Sequence, residues 1–296
     1  MIDNDWFDYE NYMELYEAVC FFNRIGSLTY TEEVERLGIT ESVYKAIVRI
    51  LTVNNLLENE EERRYILDNI INKNRPQHYA EMFDKAISES QFFFGNLSEL
   101  EYEIYSRYNF EVTFETGKQI AEYNQIDLTN KKALELGGNS GGLGSALLKK
   151  YKNCSYTIVD TEIPCRIGNE FNESNKLNIK FIEGDVFDLK LSDEFYDYII
   201  IMNLLHDFDD VKCSDILRNC VKYCDENTKF LIIEDILTSE FESKEVIMHG
   251  LRLAVECRGG KQRTIHELAD LFSNINYKPE KIIKLNEIHT MVVMGL

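Results

Sequence analysis

The chain has 296 residues, 44% of them hydrophobic, with 52 acidic against 32 basic side chains and a net charge of −20. That length holds one large or two modest domains, and that charge argues against nucleic acid and anionic membranes as main partners. No apolar run approaches the roughly 20 residues of a membrane helix, and the acidic start Met1-Ile2-Asp3-Asn4-Asp5-Trp6 lacks the basic-then-apolar order of a secretory signal.

A cytoplasmic protein is therefore expected. The seven cysteines, irregularly spaced, read as reduced thiols rather than a metal site. Cys213, Cys220 and Cys224 fall on one predicted helix, and the last two share a face.

Residues 1–75 read as short helices with a turn-rich end. Thr29-Tyr30-Thr31-Glu32 fits a capping box, and Gly38 fits the stop of that helix. Thr40 then caps a second helix with Val43, Ile47, Ile50 and Leu51 on one side. Asn54-Asn55 and the charged tip Glu60-Glu61-Glu62-Arg63-Arg64 complete the outline of a winged helix. Its charge speaks against DNA: 15 acids face 8 bases in residues 1–75, and the second helix offers only Lys45 and Arg49. Phosphate contacts need a dense basic face. The alternative is that its apolar faces pair with another subunit. Residues 76–130 read as helical and aromatic-rich, with Phe92-Phe93-Phe94 and Tyr102, Tyr105 and Tyr108.

From residue 131 the pattern becomes strands alternating with helices. Strands are expected at 133–137, 155–160, 179–183, 196–202, 229–235, 279–285 and 288–294, with helices between the first five and at 264–273. Such alternation predicts a doubly wound, mostly parallel sheet. The last two strands, joined by Asn286-Glu287, must form an antiparallel hairpin.

In such a sheet, ligands sit at the carboxyl ends of the strands. Glu135-Leu136-Gly137-Gly138-Asn139-Ser140-Gly141 follows the first strand and opens a helix. Glycines there allow positive φ and a close backbone approach, and the amides of the helix start favour anionic oxygens. Asp160 ends the second strand, Gly184-Asp185-Val186-Phe187 follows the third, and His206-Asp207 follows the fourth. The glycine spacing breaks the nicotinamide fingerprint G-x-G-x-x-G. Asp160 fits the ribose hydroxyls of either cofactor. Asp185 fits an adenine amino group with Val186 or Phe187 against the ring, although a turn-capping role fits it too. Glu135 suits a cofactor with an ammonium to neutralise. Together these favour S-adenosyl-L-methionine.

With these motifs the chain resembles the class I S-adenosylmethionine-dependent O-methyltransferases, the family of plant caffeate-type and bacterial natural-product enzymes. The likeness is carried by the glycine loop, Gly184-Asp185-Val186-Phe187, Leu205-His206-Asp207-Phe208 and Gly259-Gly260-Lys261-Gln262-Arg263-Thr264, in that order. It implies a Rossmann-like methyltransferase domain over residues 131–296, a helical connector over 96–130 and a winged-helix dimerisation domain over 1–95, hence a homodimer. It also implies that Glu135, Gly137 and Gly138 hold the methionine end, Asp160 the ribose, and Asp185 with Val186 the adenine.

The same resemblance makes His206 the general base for the acceptor hydroxyl and Glu234 its flanking acid. An imidazole of pKa near 6.5 takes a proton at neutral pH. Met248, His249 and Arg252 are candidate substrate contacts, and no metal is expected. Arg263 and Thr264 are expected to start and tether the following helix. The acceptor expected is a small aromatic or conjugated molecule. A rival reading keeps fold and cofactor but performs hydroxylation, decarboxylation or pericyclic chemistry. Three residues depart from the family pattern: Asn139 for a third glycine, Gln262 for a second histidine-flanking acid, and Met202 for a cofactor-contacting lysine.

Overall fold

The computed structural model describes residues 99–123, 126–192, 194–237, 250, 253, 257, 260–286 and 288–296. The expectations for residues 1–95, including the winged helix, and for Met248, His249 and Arg252 lie outside the described residues. Phe93–Ile236 and Arg263–Leu296 belong to one compact unit, Leu237–Gln262 to a second. In the second unit Leu253 and Cys257 are buried, and the Cys257 amide donates to the Leu253 carbonyl at 2.9 Å.

In the first unit, helix α1 (Glu99–Tyr123) precedes strand β1 (Lys132–Leu136), and α2 (Gly142–Lys150) leads to β2 (Ser155–Asp160). Helix α3 (Glu162–Asn175) leads to β3 (Ile179–Glu183). Strand β4 (Tyr198–Met202) is followed by a single 3-10 turn, Leu205–Asp207, then α4 (Asp210–Val221) and β5 (Lys229–Glu234). Helix α5 (Ile265–Ser273) and the strands β6 (Lys278–Lys284) and β7 (Thr290–Gly295) complete the unit. The seven strands lie in the order β3-β2-β1-β4-β5-β7-β6. Strands β1 to β5 pair in parallel, and β7 runs antiparallel to both β5 and β6. This is the Rossmann-like, mostly parallel sheet expected.

The central strands are apolar along nearly their whole length, such as Tyr198-Ile199-Ile200-Ile201-Met202, because parallel strands are covered on both faces. One face carries Tyr156, Ile158, Ile200, Leu231 and Met291 against Leu143 and Leu147 of α2 and Ile120 of α1. On the other, Phe230 meets Phe272 and Tyr277 edge-on with ring centroids 5.3 and 4.9 Å away. Each such aromatic pair adds about 0.5–1.5 kcal/mol beyond area burial. Helix α1 crosses α2 so closely that a Cβ on Gly142 would meet the Phe110 carbonyl and the Thr113 hydroxyl.

Three details differ from the sequence reading. The helix expected between β3 and β4 is missing: the described residues of 184–197 form turns, bends and irregular chain. Only Leu189 and Tyr196 of that charged stretch are buried, too few for an apolar helical stripe. Side chains beyond α3 pin it instead, through Tyr223 Oη donating to the Leu189 carbonyl at 3.0 Å and Asn219 Nδ2 to the Phe187 carbonyl at 2.5 Å. The β6–β7 connection spans residues 285–289, longer than Asn286-Glu287. It is closed by the Leu285 amide on the His289 carbonyl and by Asn286 Oδ1 receiving the Ile288 and His289 amides. Cys224 lies beyond the end of α4 rather than on it.

Candidate active site

The parallel register brings the ends of the strands level: Leu136 pairs with Val159 and Ile201, Asp160 with Glu183, and Met202 with Ile233. The glycine turn rises from this edge. Gly137, Asn139 and Gly141 have φ of 64°, 49° and 84°, all left-handed. Asn139 thus does what its residue type allows, since Asn tolerates this region better than most side chains. A Cβ on Gly137 would stand 2.8 Å from Leu204 of the neighbouring β4 loop. Gly141 gives α2 no side-chain cap, so the amides of that helix start are free of a competing side chain. Ser140 Oγ donates to the Ser106 carbonyl of α1 at 2.7 Å and fixes the turn from outside.

Asp160 ties the turn to β2. One carboxylate oxygen receives the Asn139 amide at 2.7 Å; the other receives the Thr161 amide at 2.7 Å. Burial raises its pKa against the pull of these amides. Gly184 donates its amide to the Asp160 carbonyl at 2.9 Å, which brings the β3 loop beside it. Asp185 is exposed, and its Oδ1 caps the turn by receiving the Phe187 amide at 2.9 Å. Val186 and Phe187 are half-buried, and the Phe187 ring meets Phe208 edge-on at 5.1 Å.

Glu135 lies beneath the turn. It is 2% exposed and accepts from Tyr156 Oη at 2.9 Å. A Cβ on Gly138 would come within 2.7 Å of its carboxyl carbon, so Glu135 supports the turn from below. Burial pushes its pKa up to about 8, with the Tyr156 hydroxyl pulling the other way.

The fourth strand end carries a histidine among carboxylates. His206 is 8% exposed, with Nδ1 2.8 Å from Glu234 Oε2 and Nε2 3.6 Å from Asp207 Oδ1. Glu234 Oε1 receives the amides of Leu204 and Leu205 at 3.1 and 2.9 Å. Burial alone would lower the imidazole pKa; the charges of Glu234, Asp207 and Asp235 outweigh it and hold the ring up at about 9. This corrects the value near 6.5 taken from the sequence: the local sequence shows Asp207 but not the Glu234 that folding brings beside the ring. Glu234 titrates below its ordinary range, burial being overcome by His206 and Arg263.

Thr264 caps α5 as expected, in a capping box with Glu267. Arg263, expected to tether that helix, reaches the His206 turn. It donates to the carbonyls of Leu205 at 2.7 Å and Phe208 at 2.8 Å and to Asp210 Oδ1 at 2.8 and 3.0 Å. Two further residues at this edge were given no individual role by the sequence, which shows Tyr102 only within an aromatic stretch and Asn203 only within the segment after the fourth strand. Tyr102 of α1 meets Thr161 Oγ1 at 3.0 Å, and burial and the nearby Asp160 push its hydroxyl up to about 12. Asn203, at φ 49°, has its Nδ2 3.1 Å from His289 Nε2. Neither belongs to a motif; the aromatic stretch holding Tyr102 and the position of Asn203 after a strand were the signals. Met202 is buried.

A doubly wound sheet with a glycine turn, two strand-end acids and an acid-flanked histidine at one edge defines a Rossmann-like methyltransferase architecture. A family model of the O-methyltransferase domain matches residues 65–278, and the chain belongs to that family. Among relatives, it is 29% identical over 172 residues to 3-O-methylredipecamine 2-O-methyltransferase of Carapichea ipecacuanha, which covers 55% of this chain and 46% of that protein. The chain thus aligns with about half the length of this relative. Among solved structures, an O-methyltransferase family 2 protein from Planctomyces limnophilus in complex with apigenin superposes with a TM-score of 0.79 at 16% identity, covering 98% and 94% of the two chains. Human N-acetylserotonin methyltransferase in complex with S-adenosylmethionine superposes with a TM-score of 0.64 at 18% identity, covering 98% and 97%. These structural likenesses establish the fold. Among the described residues no helix is long and apolar enough to cross a membrane.

Proposed function

We propose that this protein is an S-adenosyl-L-methionine-dependent O-methyltransferase acting on a hydroxyl of a small aromatic or conjugated molecule, with His206 as general base. The observation that carries this reading is the contact of His206 Nδ1 with Glu234 Oε2, at the strand edge that also bears the glycine turn. The solved relatives are described with apigenin and with S-adenosylmethionine, which points the same way.

The residues fit the cofactor on two counts. Asp185 presents an exposed carboxylate at the β3 end, and Asn203 Oδ1, at the β4 end, is buried without a hydrogen-bond partner. A bound polar molecule satisfies such an atom, whose isolation otherwise costs about 1–3 kcal/mol. Gly137, Gly138 and Glu135 are assigned to the methionine end, Asp160 to the ribose, and Asp185 with Val186 to the adenine. Bound there, S-adenosylmethionine supplies an electrophilic sulfonium methyl group.

The chain's own part is alignment and proton transfer. Glu234 faces Nδ1, so that nitrogen carries the ring proton, and Nε2, on the side of Asp207, is assigned the proton of the hydroxyl. The carboxylate holds this tautomer and stabilises the imidazolium as it forms. Met248, His249 and Arg252 are proposed to line the acceptor pocket, and residues 1–95 to pair two copies into a cytoplasmic homodimer.

The test is mass spectrometry of N-acetylserotonin and apigenin incubated with enzyme and cofactor, read for one added methyl. Calorimetry with S-adenosylmethionine accompanies it: Asp160→Asn should weaken binding about tenfold or more, as losing a charge-assisted acceptor does. Absence of saturable cofactor binding by the wild type would sink the reading.

A further inference from the structure

We propose that Arg263 is a positioning residue that holds His206 in register with Glu234 by gripping the carbonyls on either side of it. The inference rests on the catalytic role given to His206, but the grip itself is a matter of geometry. His206 stands on a single 3-10 turn, Leu205–Asp207, closed by the Asp207 amide on the Leu204 carbonyl at 3.1 Å and the Phe208 amide on the Leu205 carbonyl at 3.2 Å. One turn of this kind has poor hydrogen-bond geometry and little stability of its own. Its shape is therefore set by what holds it from outside.

Two charged groups do so, one through the amides of the turn and one through its carbonyls. Glu234 Oε1 receives the amides that enter the turn, Leu204 and Leu205. Arg263 holds the carbonyls: Nη1 donates to that of Leu205 and Nη2 to that of Phe208, while Nε and Nη2 donate to Asp210 Oδ1. The guanidinium side chain is 4% exposed, so water does not compete for these bonds. Its own anchor is rigid, because the adjoining Thr264 is locked in a capping box with Glu267. Cys213 Sγ reaches the same two carbonyls at 3.2 and 3.6 Å, but a thiol is a weak donor and cannot replace the fork. The planar guanidinium makes four bonds from three nitrogens; an ammonium, with three donors on one atom, does not reproduce that fork.

The experiment compares wild type, Arg263→Ala and Arg263→Lys by two readouts. The first is nitrogen NMR of the His206 ring, assigned with His206→Gln, and needs no acceptor. Arg263→Ala should split or broaden the ring signals and move their titration midpoint by about half a pH unit or more, because a buried positive charge near the pair is lost. The second is turnover of N-acetylserotonin: kcat should fall about a hundredfold, the cost of a misplacement on the order of an ångström. KM for S-adenosylmethionine should stay within about threefold, since the cofactor residues are untouched. Added guanidinium ion should restore part of kcat. Should Arg263→Ala fail to fold, Arg263→Lys answers in its place, with charge retained, the fork lost and kcat down about tenfold. An unchanged ring titration together with kcat within about threefold of wild type in the folded variant overturns the proposal. If the wild type methylates nothing, the proposed function fails on its own, and the ring titration still decides the grip.

Discussion

Glu234 serves the His206 turn with both oxygens: Oε2 lies 2.8 Å from the ring Nδ1, and Oε1 receives the backbone amides of Leu204 and Leu205. One carboxylate therefore sets both the position of the turn and the protonation of the ring it carries.

Activity should rise toward alkaline pH. With the ring held at about 9, only about 1% of it is neutral at pH 7, by the ordinary titration relation. kcat/KM is expected to climb about tenfold per pH unit from 6 to 8 and to level near 9, as a base of that pKa requires. Glu234→Gln removes the largest upward influence, so the midpoint falls while the plateau drops by about three orders of magnitude through loss of the orienting carboxylate. Initial rates from pH 6 to 10 check this; a flat profile contradicts it.

The same pair makes stability depend on pH in two directions. The His206 pKa is raised on folding, so its contribution is complete below about 6.5 and is lost as pH rises through about 9. The Glu234 pKa is lowered, so its contribution is present above its ordinary value and is lost as pH falls through the depressed one. Thermal unfolding of wild type against His206→Gln should show the largest difference between about pH 5 and 6.5, where both contributions stand. A difference that does not change with pH would remove the ion pair from the account.

Glu135→Gln separates support of the turn from charge. Burial pushes the carboxyl up to about 8, so its ionised form opposes folding. That penalty sets in above the ordinary carboxylate pKa and is complete above about 8. A glutamine still accepts from Tyr156, so the variant should gain stability relative to wild type as pH rises from 5 to 8. Its affinity for S-adenosylmethionine should stay near wild type at pH 5 and fall toward pH 8, where the wild-type carboxyl becomes charged for the ammonium. Melting curves at the two pH values, with calorimetry, test both parts.

Gly142→Ala should unseat α1. The added methyl would meet the Phe110 carbonyl, which is helix backbone and cannot step aside. A loss of about 1–3 kcal/mol is expected, the usual cost of overpacking, read as a lower denaturation midpoint. Ser145→Ala, one helical turn along, serves as the comparison. Equal stability of Gly142→Ala and wild type would mean that α1 does not lie against α2 in solution.

Much of the frame was legible because it rests on local rules. Runs such as Tyr198–Met202 declare buried strands by composition, and Thr264 with Glu267 declares a helix start by chemistry. Asn139 was readable as a left-handed residue because Asn is one of the few side chains that accept that backbone. The stretch 184–197 misled, because alternation elsewhere made a helix seem due there, whereas its few apolar residues cannot form a stripe. Tyr102 and Asn203 gave little sign, since each acquires its neighbours from a distant part of the chain.

The amino-acid order alone determined the strand–helix alternation, the glycine turn and the identity of the acids and histidine at the strand ends, since these follow from periodicity and residue chemistry within short windows. Only the tertiary structure decided how those groups behave. Placing Glu234 against His206 lifts the imidazole to about 9, and sealing Glu135 beneath Gly138 lifts its carboxyl to about 8. The reach of Arg263 to the His206 turn belongs with these, because charge, solvation and distance across a sheet are set by packing and not by sequence neighbours.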